Sequence, residues 1–172
     1  MTLTSAEFTV LALVVERPSH GYDLERVIEE RGIRRWTDIG FSSIYYVLTK
    51  LEKRELVAAD EGGARSRRVF HATPQGRAVA AEAAKAFIIG PRPVHEPVLV
   101  GLANLSLLTD RDYDAALRAR LVALDARIAG IRTAAESQSP LPVPASEVFS
   151  YTLRLLEAER SWLAERVQVT DE

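Results

Sequence analysis

The run FSSIYYVLTKLEKRELV, residues 41–57, decides how this chain is read. Ile44, Val47, Leu48 and Leu51 recur at the spacing that places four apolar side chains on one stripe, which predicts a helix over 42–54. The opposite side carries Ser42, Ser43, Tyr46, Thr49, Lys50, Lys53 and Arg54. Hydroxyls, an aromatic ring and cations together suit contact with phosphates and base edges. An ordinary surface helix with a solvated polar face has the same composition, so the neighbouring segments must choose between the two.

Upstream, Thr4 and Glu7 have the spacing of a capping box, and a helix is expected from there to about Val15, with Pro18 stopping it. Phe8, Leu11, Ala12 and Val15 form one face, and Val10, Leu13 and Val14 widen it, so this helix should be buried on most sides. Ser19 is expected to cap a second helix running to Glu30, with Leu24, Val27 and Ile28 inward and Gly32 as its terminating residue. His20, Gly21 and Tyr22 fall in its first turn, where free backbone N–H groups favour anions; phosphate contact and plain packing of Tyr22 both satisfy this placement. The connector IRRWTDIG carries Arg34, Arg35 and Trp36. It suits a backbone contact or a pocket wall, although an indole in such a place is more often a core plug.

Downstream, Leu56–Asp60 and Arg67–Ala72 suit extended structure across Gly62 and Gly63, which accept the positive angles of a hairpin turn. Arg65, Arg67 and Arg68 crowd the tip and return strand of that hairpin. A solvated loop accounts for them, yet three arginines in four residues favour phosphate or minor-groove contact. Three helices followed by a two-stranded wing make the winged form of the helix-turn-helix.

The segments HGYDL at 20–24, SIYYVLTKLEKRELV at 43–57 and RRVFHATPQG at 67–76 resemble the PadR family of bacterial transcription regulators. The likeness covers about the first half of the chain, in order. Two positions depart from the family pattern: Tyr46 stands where proline is common, and Glu55 where glycine usually ends the helix. The resemblance implies a DNA-binding regulator, commonly a repressor, that reads a palindromic operator as a homodimer. It also implies release by a small aromatic or amphipathic effector.

Thr73-Pro74 is a helix cap with proline at the first position, and an alanine-rich helix follows, short enough in its side chains to let another helix approach. GPRP at 90–93 breaks the chain. We therefore expect a winged helix-turn-helix with its bridging helix over 1–90 and a helical dimerisation domain over 91–172. From Pro97 to Leu108 the chain is apolar nearly all round and should be buried. Thr109 should cap a long helix to about Glu136 whose seam is Tyr113, Leu117, Leu121 (or Arg120), Leu124, Ile128 and Ile131. SQSPLPVPAS then reverses the chain. Ser146 should cap a last helix continuing the spacing through Phe149, Leu153, Leu156, Leu163 and Val167, with Arg160 in one seam position. The fold expected is thus mainly α with a small β-hairpin, ending in an antiparallel helical hairpin. Its apolar surface exceeds what one wing domain covers, so a second copy is expected to complete the core.

The remaining composition narrows the function. A chain of 172 residues with 47% hydrophobic content builds a packed core, and its net charge of -2 leaves nucleic-acid binding to locally placed cations. There are no cysteines, hence no disulfides or sulfur-ligated zinc, and no run of the roughly 20 apolar residues a membrane span needs, so a cytoplasmic location is expected. Three histidines at unrelated positions, with no phosphate loop or nucleophile elbow, argue against an enzyme and give no cofactor or metal. Trp36, His95, Tyr113, Tyr151 and Trp162 are the candidate effector-binding residues, although aromatics scattered along helical seams are usually core. The alternative to a DNA-binding regulator is a winged helix serving only protein contacts. That module would tolerate an acidic third helix, whereas two of the three lysines, Lys50 and Lys53, fall on this one.

Overall fold

The structure is a computed structural model that describes residues 2–37, 39–40, 44–60, 68–90 and 96–169. It divides into two compact units, Met1–Pro93 and Val94–Glu172.

The first unit begins with α1, Ser5–Glu16, which starts where the sequence places it. Thr4 Oγ1 accepts from the Glu7 N–H at 3.2 Å, and the Glu7 carboxylate accepts from the Thr4 N–H at 2.9 Å. Its buried stripe centres on Val10, Leu11, Leu13 and Val14, with Phe8 and Val15 only half-buried. Phe8 instead stacks on Phe87 at 5.2 Å between ring centres.

The expected cap at Ser19 is corrected. Ser19 and His20 form a short strand, β1, and His20 takes the cap position of α2, Gly21–Glu30, without a side-chain cap bond. The Ser19 hydroxyl donates to the Arg17 carbonyl at 3.0 Å, so it is committed to the preceding turn. Leu24 and Ile28 of α2 are buried, and Val27 packs against the same core. Gly32, at φ 62, ends α2 in the left-handed conformation a glycine adopts freely.

After a 3-10 turn at Ile33–Arg35 comes α3, Ile44–Lys53; positions 42 and 43, expected at its start, lie outside the described residues. Ile44, Val47, Leu48 and Leu51 are buried as the apolar stripe requires. Sealing each aliphatic side chain from water is worth about 1.5–3 kcal/mol, and this fixes the rotation of α3 about its axis. Its end is a Schellman motif: the Leu56 N–H reaches the Leu51 carbonyl at 3.0 Å and the Glu55 N–H reaches Glu52 at 2.9 Å. Glu55 occupies the left-handed position at φ 57, where glycine is usual.

The strands β2, Val57–Ala59, and β3, Val69–Ala72, pair antiparallel with Val57 opposite Ala72 and Ala59 opposite Phe70. The sheet has three strands rather than two, in the order β1-β3-β2, since Ser19 pairs with Phe70 and His20 with Val69. The expected turn at Gly62-Gly63 lies outside the described residues. Thr73 then caps α4, Pro74–Ile89, accepting from the Gly76 N–H at 2.9 Å and donating to the Glu55 carbonyl at 2.7 Å.

The second unit opens with α5, Pro97–Ala103, and a 3-10 turn at Leu105–Leu107. Burial of this segment was expected and is not observed: no residue of α5 is buried, and Leu107 is 81% exposed. A single copy of the unit supplies no layer over it. Thr109 caps α6, Asp110–Ser137, accepting from the Asp112 N–H at 3.2 Å. The last helix, α7, spans Val143–Val169 and begins ahead of the expected cap at Ser146, whose N–H already bonds to the Pro142 carbonyl within the first turn. Pro144 is tolerated there because its missing N–H would have had no partner inside the helix.

The seam between α6 and α7 is Leu117, Leu124 and Ile128 against Leu156, Leu163 and Val167, flanked by Tyr113, Leu121, Ile131, Leu153 and Trp162. Ion pairs cross its edges. Arg120 holds Glu159, Arg132 holds Glu157 at 2.7 Å, and Arg160 holds Asp125 at 2.5 Å. Arg160, expected in the seam, is thus exposed on its rim, where a guanidinium keeps its hydration.

Candidate nucleic-acid interface

Because its apolar stripe faces the core, α3 turns a polar edge outward. Tyr46 is 69% exposed, Lys53 is exposed beside it, and Thr49 donates back to the Tyr45 carbonyl at 2.8 Å. Tyr45 is the more inward of the two tyrosines. A Cβ on Gly21 would stand 2.6 Å from its ring, so the absence of a side chain at Gly21 is what lets Tyr45 lie against the start of α2. Tyr22, the next residue, is exposed. On the other side, His20 faces Val69 across the β1–β3 pairing, and its Nδ1 is buried without a hydrogen-bond partner among the described residues. His20 meets the beginning of β3 through β1, a strand the sequence reading missed, and Gly21, next in the chain, lies against Tyr45.

The cations are arranged less simply than their sequence positions imply. Arg54, expected on the outer face of α3, turns inward: its side chain is 15% exposed and lies 3.3 Å from Glu7, which is 4% exposed. Lys50 approaches the same carboxylate at 2.5 Å while keeping 46% of its side chain exposed. The reason is Glu7, whose position in the capping box carries a carboxylate into the packed region, where an unpaired charge is costly. Burial raises the Glu7 pKa, but the hydrogen bonds from Lys50 and the Thr4 N–H and the charges of Lys50 and Arg54 outweigh it and hold the carboxyl below its ordinary range. The hydrogen bond to Glu7 pushes the Lys50 ammonium upward in turn.

Arg68, at the foot of the wing, holds Glu52 of α3 through both guanidinium nitrogens at 2.5 and 3.3 Å and lies 5.4 Å over the Phe70 ring. Arg34 of the connector is also a structural pin, bound to Glu25, to Glu29 at 3.3 Å and to the Ile39 carbonyl at 2.5 Å. Trp36, expected as a core plug, is 54% exposed, because Ile33 and Ile39 fill the core on either side of it. Ser42, Ser43, Arg65 and Arg67 lie outside the described residues.

The candidate effector residues divide between the two units. Trp36 belongs to the first unit, and His95 lies outside the described residues. In the second unit Tyr151 is exposed, whereas Tyr113 is partly buried against the hairpin core. Trp162 sits beneath Arg166, whose guanidinium is 3.7 Å from the ring centre. Eleven residues separate Tyr151 from Trp162, about 16 Å along one helix. The depression on the hairpin is lined by Asp125, Arg132, Glu157 and Arg160 among others, a charged wall holding none of the five. Among the described residues no group of His, Asp and Glu is placed to hold a metal ion, and no helix is long and apolar enough to cross a membrane. The residues missed by sequence reading are Glu7 in its pairing role and Glu52; each is an ordinary helical glutamate until its partner is placed beside it.

The chain is similar in fold to solved structures. PadR of Bacillus subtilis in complex with operator DNA superposes with a TM-score of 0.77 at 18% identity, covering 95% of this chain and 97% of that one. The same protein in complex with p-coumaric acid gives 0.80 at 18% identity, over 96% and 98%. The virulence activator AphA of Vibrio cholerae gives 0.71 at 16% identity, over 97% and 98%. At these identities the likeness is one of fold. No curated protein matches the chain by sequence. The model of the transcriptional regulator PadR-like family does match, over residues 10–82, the segment that holds α2, α3 and the wing. Over that segment the chain is similar to the PadR-like family of transcriptional regulators.

Proposed function

We propose that the chain is a homodimeric repressor that inserts α3 into the major groove of a palindromic operator and lays the wing against the backbone or minor groove. The observation that carries this reading is the outward edge of α3, where Tyr46 and Lys53 project while the stripe opposite is locked into the core. In this reading residues 1–90 meet DNA and 91–172 pair two copies. Ser42, Ser43, Tyr45 and Tyr46 are the residues near bases or backbone, with Tyr45 the more inward of the two tyrosines, while His20, Gly21, Tyr22, Lys50, Arg65, Arg67 and Arg68 meet phosphates.

Pairing is supported by the open apolar side of the second unit, where Leu99, Val100, Leu107 and Leu108 stand exposed. Clustered exposed apolar side chains of this kind suit a contact with another protein surface. Two copies holding their α3 helices one turn of DNA apart would read inverted half-sites. Release by a small aromatic molecule rests on the likeness to PadR solved with p-coumaric acid and on Trp36, whose ring is open to solvent.

Footprinting the purified protein on DNA flanking its own gene tests the reading. A protected inverted repeat supports it. Uniform weak protection with no preferred site would leave the alternative, a winged helix that contacts proteins without specific DNA binding.

A further inference from the structure

Within the face assigned to DNA, cations and carboxylates alternate. Lys50, Lys53 and Arg68 share the surface of α3 and the wing foot with Glu52 and Glu55, while Glu7 and Arg54 pair beneath it. Glu7 is committed to the fold, since it caps α1 and sits almost wholly out of water. Glu52 has no such duty. Its side chain is 31% exposed, and among the described residues that side chain's hydrogen bonds are the two-pronged grip on Arg68. A bidentate carboxylate occupies the same donor fork that a guanidinium offers to phosphate. Arg68 cannot take a backbone phosphate with both prongs while Glu52 holds them, and the carboxylate repels that phosphate besides.

We propose that Glu52 is an affinity-setting residue for DNA: it neutralises Arg68 in the free protein and weakens phosphate binding on every sequence, leaving the base-contacting residues a larger share of the interaction. The inference rests on the reading that the wing foot approaches DNA. It differs from a bracing role, in which the Arg68–Glu52 pair merely holds the wing against α3. The two roles predict opposite signs. A brake released frees a cation and strengthens binding, whereas a brace removed loosens the wing and weakens it.

The test uses the full-length protein and a short fluorescein-labelled duplex of arbitrary sequence, titrated between about 50 and 200 mM salt. Glu52→Gln keeps the side chain's shape and removes its charge. It should tighten binding by about threefold or more and steepen the plot of log affinity against log salt by about one, the slope belonging to one additional neutralised phosphate. Arg68→Gln should weaken binding and flatten the slope, because it leaves Glu52 facing the backbone. The double variant, again neutral as a pair, should return close to the parent. A thermal melt of each variant checks that the fold persists. Unchanged or weaker binding by Glu52→Gln, with Arg68→Gln also weaker, would make the pair a brace and overturn the proposal while leaving the wing on DNA. If Arg68→Gln changes neither affinity nor slope, the wing foot does not meet DNA, and the proposal falls together with that part of the functional reading.

Discussion

Glu7 of α1 and Arg54, the residue after the end of α3, stand 3.3 Å apart, carboxylate to guanidinium, with both side chains largely withdrawn from water. The pair fastens α3 to the first helix from beneath. It also explains why a cation just past the end of the outward-facing helix is not offered to a ligand. Truncating one member strands the other, because a buried guanidinium without its counter-charge is left incompletely solvated. Glu7→Ala should therefore cost about 3 kcal/mol in urea unfolding. Replacing both by apolar residues of similar size, Glu7→Leu with Arg54→Met, should recover most of that loss. A double variant no more stable than Glu7→Ala alone would show that the capping bond to Thr4, rather than the ion pair, carries the cost.

The same carboxylate sets an acid limit. Glu7 titrates below its ordinary value of 4.5 in the folded protein, since the bonds from Lys50 and Thr4 and the charges of Lys50 and Arg54 overcome burial. A group whose folded pKa is depressed contributes stability that is complete above the unfolded value and is lost as pH falls through the folded one. Glu16 is lowered as well, by its hydrogen bond to Arg31, but both of those side chains are half exposed and the pair contributes little. Stability should thus decline below about pH 4.5. Glu7→Gln should be less stable than the parent at neutral pH, with the gap closing as acid is added. A gap of constant size down to pH 3 would assign the acid limb to other carboxylates.

Gly76, in the first turn of α4, lies hard against the backbone of Leu56. A Cβ there would stand 1.9 Å from the Leu56 carbonyl oxygen, which already accepts from the Thr73 N–H at 3.1 Å and the Thr73 hydroxyl at 3.2 Å. Backbone cannot swing aside as a side chain can, so Gly76→Ala must separate α4 from the start of β2. We expect a loss of about 3 kcal/mol, typical of forced overpacking. Gly130 of α6 is the control, since a Cβ there meets nothing within 4 Å. Gly130→Ala should gain about 0.5–1 kcal/mol from helix propensity. Thermal unfolding of the two variants should move in opposite directions.

Legibility in the sequence followed distance along the chain. The caps at Thr4, Thr73 and Thr109 were readable because donor and acceptor lie three residues apart in each. The buried stripe of α3 was readable because periodicity reports it directly. Arg54 was placed on the wrong face because its partner is 47 residues away, and no local pattern announces that a carboxylate waits beneath. The strand β1 is two residues long, too short to show an alternation, yet it brings His20 to the wing. For α5 the all-round apolar composition signalled a need for cover, which a periodicity cannot convert into the identity of what covers it. The outward edge of α3 was readable as a set of residue types, but the neutralising partners of Lys50 and Arg68 emerged only with the tertiary contacts.

The departure from the family pattern at Glu55 gives the last expectation. Two helices of the first unit end with a left-handed residue, α2 at Gly32 with φ 62 and α3 at Glu55 with φ 57. Glycine takes this conformation freely, whereas a residue with a Cβ pays about 1 kcal/mol or more in steric crowding against its own carbonyl. Glu55 is exposed and its side chain makes no ion pair among the described residues, so nothing there offsets the strain. Glu55→Gly should keep the Schellman bonds to Leu51 and Glu52 and relieve the crowding, while giving back part of the gain through the freer unfolded chain. The net expectation is a stabilisation of about 0.5–1 kcal/mol, seen as a higher urea midpoint with an unchanged slope. A lower midpoint would mean that the glutamate side chain contributes something at the junction of α3 and the wing that outweighs the strained backbone beneath it.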